Sequence, residues 1–233
     1  MKKPLLITLC ALLYLSAGAQ NNNLKINLLA LSLGNISLQH EYSINGKSSI
    51  ALGVSYLPSR GVPGFAVSED PSKNAENLSF KGFGITPEYR YYFKGNGPKG
   101  LYLAGYFRYS KYSTSEYDFN YDRDDGSQGE VTLTGDYTTT VVGVMLGSQW
   151  LLGDHFTLDW WIIGAGFGSL KGEYEGVGNF SDDDQTDIDA EVNTIDVPGV
   201  DIEVTTSANK VNLTVEPSIP AIRGFGLCLG YRF

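Results

Sequence analysis

The sequence predicts an all-β protein, an eight-stranded antiparallel transmembrane β-barrel, and three observations carry the prediction. The last nine residues alternate strictly: Phe225, Leu227, Leu229, Tyr231 and Phe233 fall on one face of an extended strand, and Gly226, Cys228, Gly230 and Arg232 on the other. Seven further stretches repeat that period of two, and after the first turn their connections run short, long, short, long, short, long. The N-terminal apolar run is too short to span a bilayer, and nothing after it approaches the ~20 apolar residues of a transmembrane helix. A chain of this kind enters a membrane as strands.

The elements follow in order. Met1-Lys2-Lys3, the apolar run Leu5 to Leu15 and Ala17-Gly18-Ala19 form a basic region, a short hydrophobic region and a small-x-small cleavage site. This export signal, residues 1–19, leaves 20–233 as one barrel domain. Cys10 departs with the signal, so Cys228 is the one cysteine of the mature chain and no internal disulfide can form. Lys25 to Leu31 is a first strand with imperfect alternation, turned at Leu33-Gly34-Asn35. The second strand sets Ile36, Leu38, His40, Tyr42 and Ile44 against Ser37, Gln39, Glu41 and Ser43. Asn45-Gly46 then predicts a type I′ hairpin, in which both central residues need positive φ. The third strand carries Ile50, Leu52, Val54 and Tyr56 on one face, and Pro58 to Asn77 is a long loop. In the fourth, Phe83, Ile85, Pro87, Tyr89, Tyr91 and Phe93 oppose Gly84, Thr86, Glu88, Arg90 and Tyr92, before a turn at Lys94 to Lys99. The fifth, Leu101 to Tyr112, places Leu103, Phe107 and Tyr109 opposite Ala104, Tyr106 and Arg108. A polar loop, Asp118 to Gly129, leads to the sixth, Val131 to Leu152, and Gly153-Asp154 turns the chain. The seventh carries Phe156, Leu158, Trp160 and Ile162 opposite Asp159, and the acidic stretch Glu175 to Asn209 precedes the last strand.

Alternation alone also fits a soluble ligand-holding barrel. The composition of the two faces separates the cases. The face without large apolar residues is mostly Gly, Ser, Ala and Thr with isolated charges, a poor water-facing surface and a good filling for a narrow lumen. The large apolar face therefore meets lipid, and strands in hydrocarbon must close with no free edge. Tyr42, Tyr91, Phe93, Trp150, Tyr231 and Phe233 lie at the strand ends of one side, where an aromatic girdle sits. In the lumen, Glu41, Glu88, Arg90, Arg108, Asp159 and Arg232 are expected to form ion pairs, because an isolated ion out of water is costly. Eight strands leave room for side chains and not for a wide aqueous channel.

The formal charge of −9 becomes −11 when Lys2 and Lys3 leave with the signal. An acidic chain lacks the basic footprint of a nucleic-acid binder. A hydrolase would need a Ser nucleophile with a His base and an orienting acid. Of the two histidines, His155 is beside a short turn, and His40 lies on the apolar face with Tyr42 where a His-x-Ser arrangement would need Ser. No enzyme and no cofactor is expected. Asn120 to Gly126 approaches a calcium-loop spacing, but its Gly falls one place late and no Glu follows where required. That stretch and Ser181-Asp182-Asp183-Asp184 read as solvated acidic loops.

The terminal aromatic strand resembles the closing strand of bacterial outer-membrane barrels. Lys25-Ile26-Asn27-Leu28-Leu29, Asn35-Ile36-Ser37-Leu38-Gln39-His40-Glu41 and Leu229-Gly230-Tyr231-Arg232-Phe233 are together similar to a family of small Gram-negative outer-membrane barrels, with an architecture like OmpX, the opacity proteins and the OmpA membrane domain. The resemblance implies residence in the outer membrane, contact with its lipid, and use of Phe225, Leu227, Leu229, Tyr231 and Phe233 as the strand read by the barrel-insertion machinery. It implies no catalytic residue. The expected function is non-enzymatic, structural or surface-interacting, with the acidic external loops meeting an envelope or host-surface partner. The alternatives are a narrow channel and a lipid A-modifying enzyme.

Overall fold

The computed structural model describes residues 21–61, 79–94, 97–122, 128–186 and 200–233. The expected signal segment, most of the loop after Pro58 and part of the acidic stretch lie outside these. Ten strands form one antiparallel sheet: β1 (Asn22–Asn27), β2 (Ile36–Ser43), β3 (Ser48–Gly61), β4 (Ser79–Tyr92), β5 (Gly100–Thr114), β6 (Tyr117–Asp122), β7 (Gln128–Leu152), β8 (Phe156–Gly178), β9 (Val200–Ser207) and β10 (Lys210–Arg232). The order β1-β2-β3-β4-β5-β7-β8-β10 returns to β1, so eight strands form a ring. The two others are additions: β6 pairs with β7, and β9 with β10.

The ring is uneven. Its closing seam, β1 against β10, is five residue pairs long, from Asn23↔Arg232 to Asn27↔Cys228. The wall two interfaces away is far taller, with β7 and β8 paired from Leu152↔Phe156 out to Val131↔Gly178. At the seam end the three short turns and the chain's described ends knit together. Asn22 N–H donates to the Phe233 carbonyl at 3.2 Å, Tyr92 N–H to Lys47 at 2.7 Å and Arg232 N–H to His155 at 2.6 Å. All long connections leave from the other end.

Five expectations are corrected. The first strand stops at Asn27, and Leu28–Ser32 is a short helix, α1. Leu28-Leu29-Ala30-Leu31 is a run of good helix formers, and the Asn27 side chain caps it by accepting from Ala30 N–H at 3.0 Å. Gly34, at φ 77°, then turns the chain back. The β2–β3 connection holds four residues between Ser43 and Ser48, not the two of a type I′ hairpin. The Asn45 side chain closes it by accepting from Lys47 N–H at 2.8 Å and Ser48 N–H at 2.9 Å. β3 runs through Pro58 to Gly61, with a register shift between Leu57 and Arg60. The Asp118 to Gly129 and Glu175 to Asn209 stretches contribute to β6 and β9 and are not simply loops. Asn120 to Asp122, the start of the calcium-like spacing, pair in β6, and residues 123–127 lie outside those described. On β8, the register against β7 slips between Leu146 and Gly147, so Ile163 rather than Ile162 occupies the outer face at 55% exposure. One extra residue flips every later side chain. Opposite this slip Phe225 adopts φ 58°, and the exposed parity on β10 changes there.

The predicted two faces are sharply different. Leu38, Leu52, Phe83, Ile85, Tyr89, Leu103, Phe107, Val142, Val144 and Trp160 all point outward and are exposed, while Glu41, Glu88, Arg90 and Asp159 are buried within. Close-packed interior partners need glycine opposite large rings: a Cβ on Gly147 would strike the Tyr102 ring, and one on Gly226 the Trp161 ring.

Candidate functional site

The interior at the seam end is filled by polar side chains to which all eight ring strands contribute. Lys25 of β1 has its Nζ 2.6 Å from Glu41 Oε2 of β2 and 2.7 Å from Asp159 Oδ2 of β8, and it donates a third bond to Gln149 Oε1 of β7. Arg90 of β4 lies at the centre. Its Nη1 donates to Asp159 Oδ2 at 2.7 Å, its Nη2 to Gln39 Oε1 at 2.7 Å, and its Nε and Nη2 to Glu88 Oε2 at 3.0 and 2.8 Å. Arg223 of β10 pairs with Glu88 Oε1. Two tyrosines and a serine complete the acceptors' shells. Tyr92 O–H donates to Glu41 Oε1 at 2.6 Å, Tyr102 O–H of β5 to Asp159 Oδ1 at 2.7 Å, and Ser49 of β3 also donates to Glu41 Oε1.

Three cations, Lys25, Arg90 and Arg223, thus meet three anions, Glu41, Glu88 and Asp159, all with side chains at most 4% exposed. Removing six charges from water is offset only if each is both paired and hydrogen-bonded. Here each carboxylate meets at least one cation. The Arg90 guanidinium also stacks 4.7 Å from the centre of the Tyr102 ring, which adds a cation–π contact. The arrangement is a rigid, neutral plug.

Of the six charged residues expected in the lumen, the structure joins Glu41, Glu88, Arg90 and Asp159. Arg108 stands apart from this cluster. Arg108 lies further along β5, where its Nε donates to Thr86 Oγ1 at 3.3 Å. Arg232 is at the extreme end of β10, beside the His155 turn. Arg108 has the right parity but the wrong height, because alternation gives a face and not a position along the ring axis. Two members were missed. Lys25 was readable from Asn23-Lys25-Asn27 alternating with Leu24-Ile26, a pattern obscured by taking α1 as strand. Arg223 precedes the parity change at Phe225 and carries no alternation signal in phase with the terminal strand.

The histidines sit as follows. His40 is exposed on the outer face, its Nε2 3.2 Å from Asn22 Oδ1, and His155 stacks on Tyr231 at 5.6 Å. Cys228 is buried and free. Among the described residues no group of three His, Cys, Asp or Glu side chains is placed to hold a metal. Ser181 to Asp184 instead cap a helical turn over 182–186, with Ser181 N–H donating to Asp184 Oδ2 at 2.9 Å and Asp184 N–H to Ser181 Oγ at 3.1 Å.

A second feature, open to the outside, lies beyond the plug. A cavity of about 640 Å³ is bounded by α1, Leu57, Arg108, Trp161 and Ile222 to Gly226.

In comparison with known proteins, a family model described as "Protein of unknown function (DUF3575)" matches residues 5–188. No curated protein and no solved structure matches.

Proposed function

The chain belongs to the family of proteins of unknown function DUF3575, and we propose that it is an outer-membrane β-barrel of non-enzymatic, structural or surface-interacting type. The observation that carries this reading is the inversion of the two faces: large apolar side chains cover the outside of the ring while a charged cluster fills the inside. A soluble monomer rarely exposes more than a few hundred Å² of contiguous apolar surface. Dimensions agree with the reading. Exposed apolar residues on β4 and the residue just after it run from Phe83 to Phe93, ten steps of ~3.3 Å, which at a ~40° tilt give a belt ~25 Å high, the height of such a barrel's apolar band.

At the short-turn end, Tyr42, Tyr91, Phe93, Trp150 and Tyr231 are exposed on strands around the ring in the manner of a girdle; Trp150 stacks on Trp160 at 6.5 Å and Tyr91 meets Phe93 at 5.9 Å. At the other end the outer surface turns from apolar to charged, with Lys111 paired to Asp136 and Lys210 to Glu175. In this reading the signal segment 1–19 exports the chain, the terminal aromatic strand directs insertion, and the β6–β7 and β8–β9–β10 extensions present the long connections to a partner outside. The six-charge plug favours this role over a channel.

The test is electrophoretic mobility of the signal-less protein refolded in detergent, with and without boiling. A shift on boiling with β-type circular dichroism is expected; a chain that folds in buffer without detergent refutes the membrane assignment. Replacing 181–207 by a short turn should leave the shift and abolish partner binding.

A further inference from the structure

Among the described residues the ring wall has an opening. On the side of β10 that faces away from β8, Lys210–Pro217 pairs with β9 and Cys228–Arg232 with β1. Between them, 218–227 pairs with no strand among the described residues. The adjacent strands do not reach this height: β1 ends at Asn27 and β2 begins at Ile36. The apolar helix α1 packs against β10 here instead, and the turn after it is tied to β3 by Arg60, which donates to the Leu33 carbonyl. The cavity described above occupies this opening.

Its chemistry is two-sided. Toward the outside it is lined by Leu29, Leu33, Ile222 and Phe225, all of them exposed to the surroundings of the ring. Toward the inside it is lined by Arg108, Trp161 and Arg223. Arg223 is 5% exposed and sandwiched between the Tyr106 and Trp161 rings at 4.8 and 4.6 Å. One of its terminal nitrogens pairs with Glu88, but Nε and Nη1 are buried without a partner, as are Trp161 Nε1 and Tyr106 O–H. Buried donors left unmade are costly and native structures rarely keep several together. The plug is neutral without Arg108, so among the described residues this end of the lumen holds one cation in excess.

From this juxtaposition we infer that the wall opening is a binding site for a single-chain amphiphile bearing one anionic carboxylate, a free fatty acid drawn from the surrounding lipid, with its head at Arg108 and Arg223 and its chain leaving past α1. A carboxylate accepts from two guanidinium groups at once and neutralises the excess charge. The Trp161 indole lies beside the head position. The acyl chain covers the apolar rim and remains in hydrocarbon. This inference rests on the membrane reading above.

The test uses the full mature chain in phosphatidylcholine nanodiscs, with Trp150→Phe and Trp160→Phe so that Trp161 alone fluoresces. The probe is dibrominated stearate, which quenches on contact, and the control is its methyl ester. Saturable quenching by the acid and none saturable by the ester is expected. Arg108→Gln, which gives up only the bond to Thr86, should weaken the apparent affinity about tenfold or more, the effect of one charge-assisted hydrogen bond. Equal quenching by acid and ester, or an unchanged affinity in Arg108→Gln, overturns the anion site while a boil-dependent mobility shift leaves the barrel standing. Absence of that shift in the parent protein overturns the membrane reading and the site with it.

Discussion

Asp159 is the residue whose removal tests the interior plug most directly. Its carboxylate accepts from Lys25 and Arg90 at 2.7 Å each and from the Tyr102 hydroxyl at 2.7 Å. Asp159→Asn leaves three cations facing two anions and turns an amide N–H₂ toward donors. Breaking a buried ion pair by removing one partner costs ~3–5 kcal/mol. The lower figure applies, because Lys25 keeps Glu41 and Gln149 and Arg90 keeps Glu88 and Gln39. With ~1–3 kcal/mol per molar urea, a loss of about 3 kcal/mol lowers the unfolding midpoint in lipid vesicles by about 1–3 M. Lys25→Met in the same chain restores two cations against two anions. The double variant should therefore lose less than the sum of the two singles, by ~1–3 kcal/mol of coupling. Additivity to within ~0.5 kcal/mol, or an Asp159→Asn midpoint equal to the parent's, refutes the idea that these groups act as one balanced network.

Other expectations follow from the same geometry. Gly147→Ala drives a methyl into the Tyr102 ring that braces Asp159, and overpacking of this kind should cost ~1–3 kcal/mol in the same urea titration, partly recovered by Tyr102→Leu. The pair Lys210–Glu175, 2.6 Å apart but with both side chains more than 40% exposed, should contribute under ~1 kcal/mol and fade with added salt, measured by Lys210→Ala with and without molar sodium chloride. Beyond the apolar belt, the Ser113 hydrogen bond and then Lys111 hold the Asp136 carboxyl below the ordinary range. A lowered carboxylate contributes stability that is present above its unfolded value and lost as pH falls through the native one. The Asp136 side-chain carbon should therefore titrate below the reference of about 3.9, and Lys111→Ala should raise its midpoint.

Much of the architecture was readable because a strand with two unlike sides writes itself in period two. Glu41, Glu88, Arg90 and Asp159 were assigned to the lumen by parity alone, and all four are buried there. Parity says nothing about height, which is why Arg108, further along β5, was grouped with them and bonds to Thr86 instead. It also fails wherever one residue is added. Ile162 and Phe225 face each other across β8 and β10 at such a point, and Arg223, just beyond it, was hidden. The helix α1 was read as strand because Leu28-Leu29-Ala30-Leu31 is apolar at every position, and a short uniform run does not distinguish the two periods. The wall opening was invisible for a different reason. It arises from strands of unequal length meeting across the whole chain, and no local pattern records that.

The plug and the opening have a common structural cause. A seam of five residue pairs is a weak closure for a sheet whose tallest walls, β7–β8 and β8–β10, are about four times as long. The interior bonds compensate by crossing it. Asn23 of β1 donates to Thr157 of β8 at 3.0 Å, and Lys25 reaches Asp159 on β8 and Gln149 on β7, in each case past β10. Arg223 ties β10 itself to Glu88 on β4, across the lumen. Side chains thus fasten the short seam from within, with Lys25 and Arg223 carrying the bonds that span it. Above that fastening nothing in the described sheet needs to close. The ring can therefore keep an unpaired stretch of β10 beside an apolar helix without coming apart, and the cation that the plug does not neutralise, Arg108, lies at that opening and not inside the sealed part.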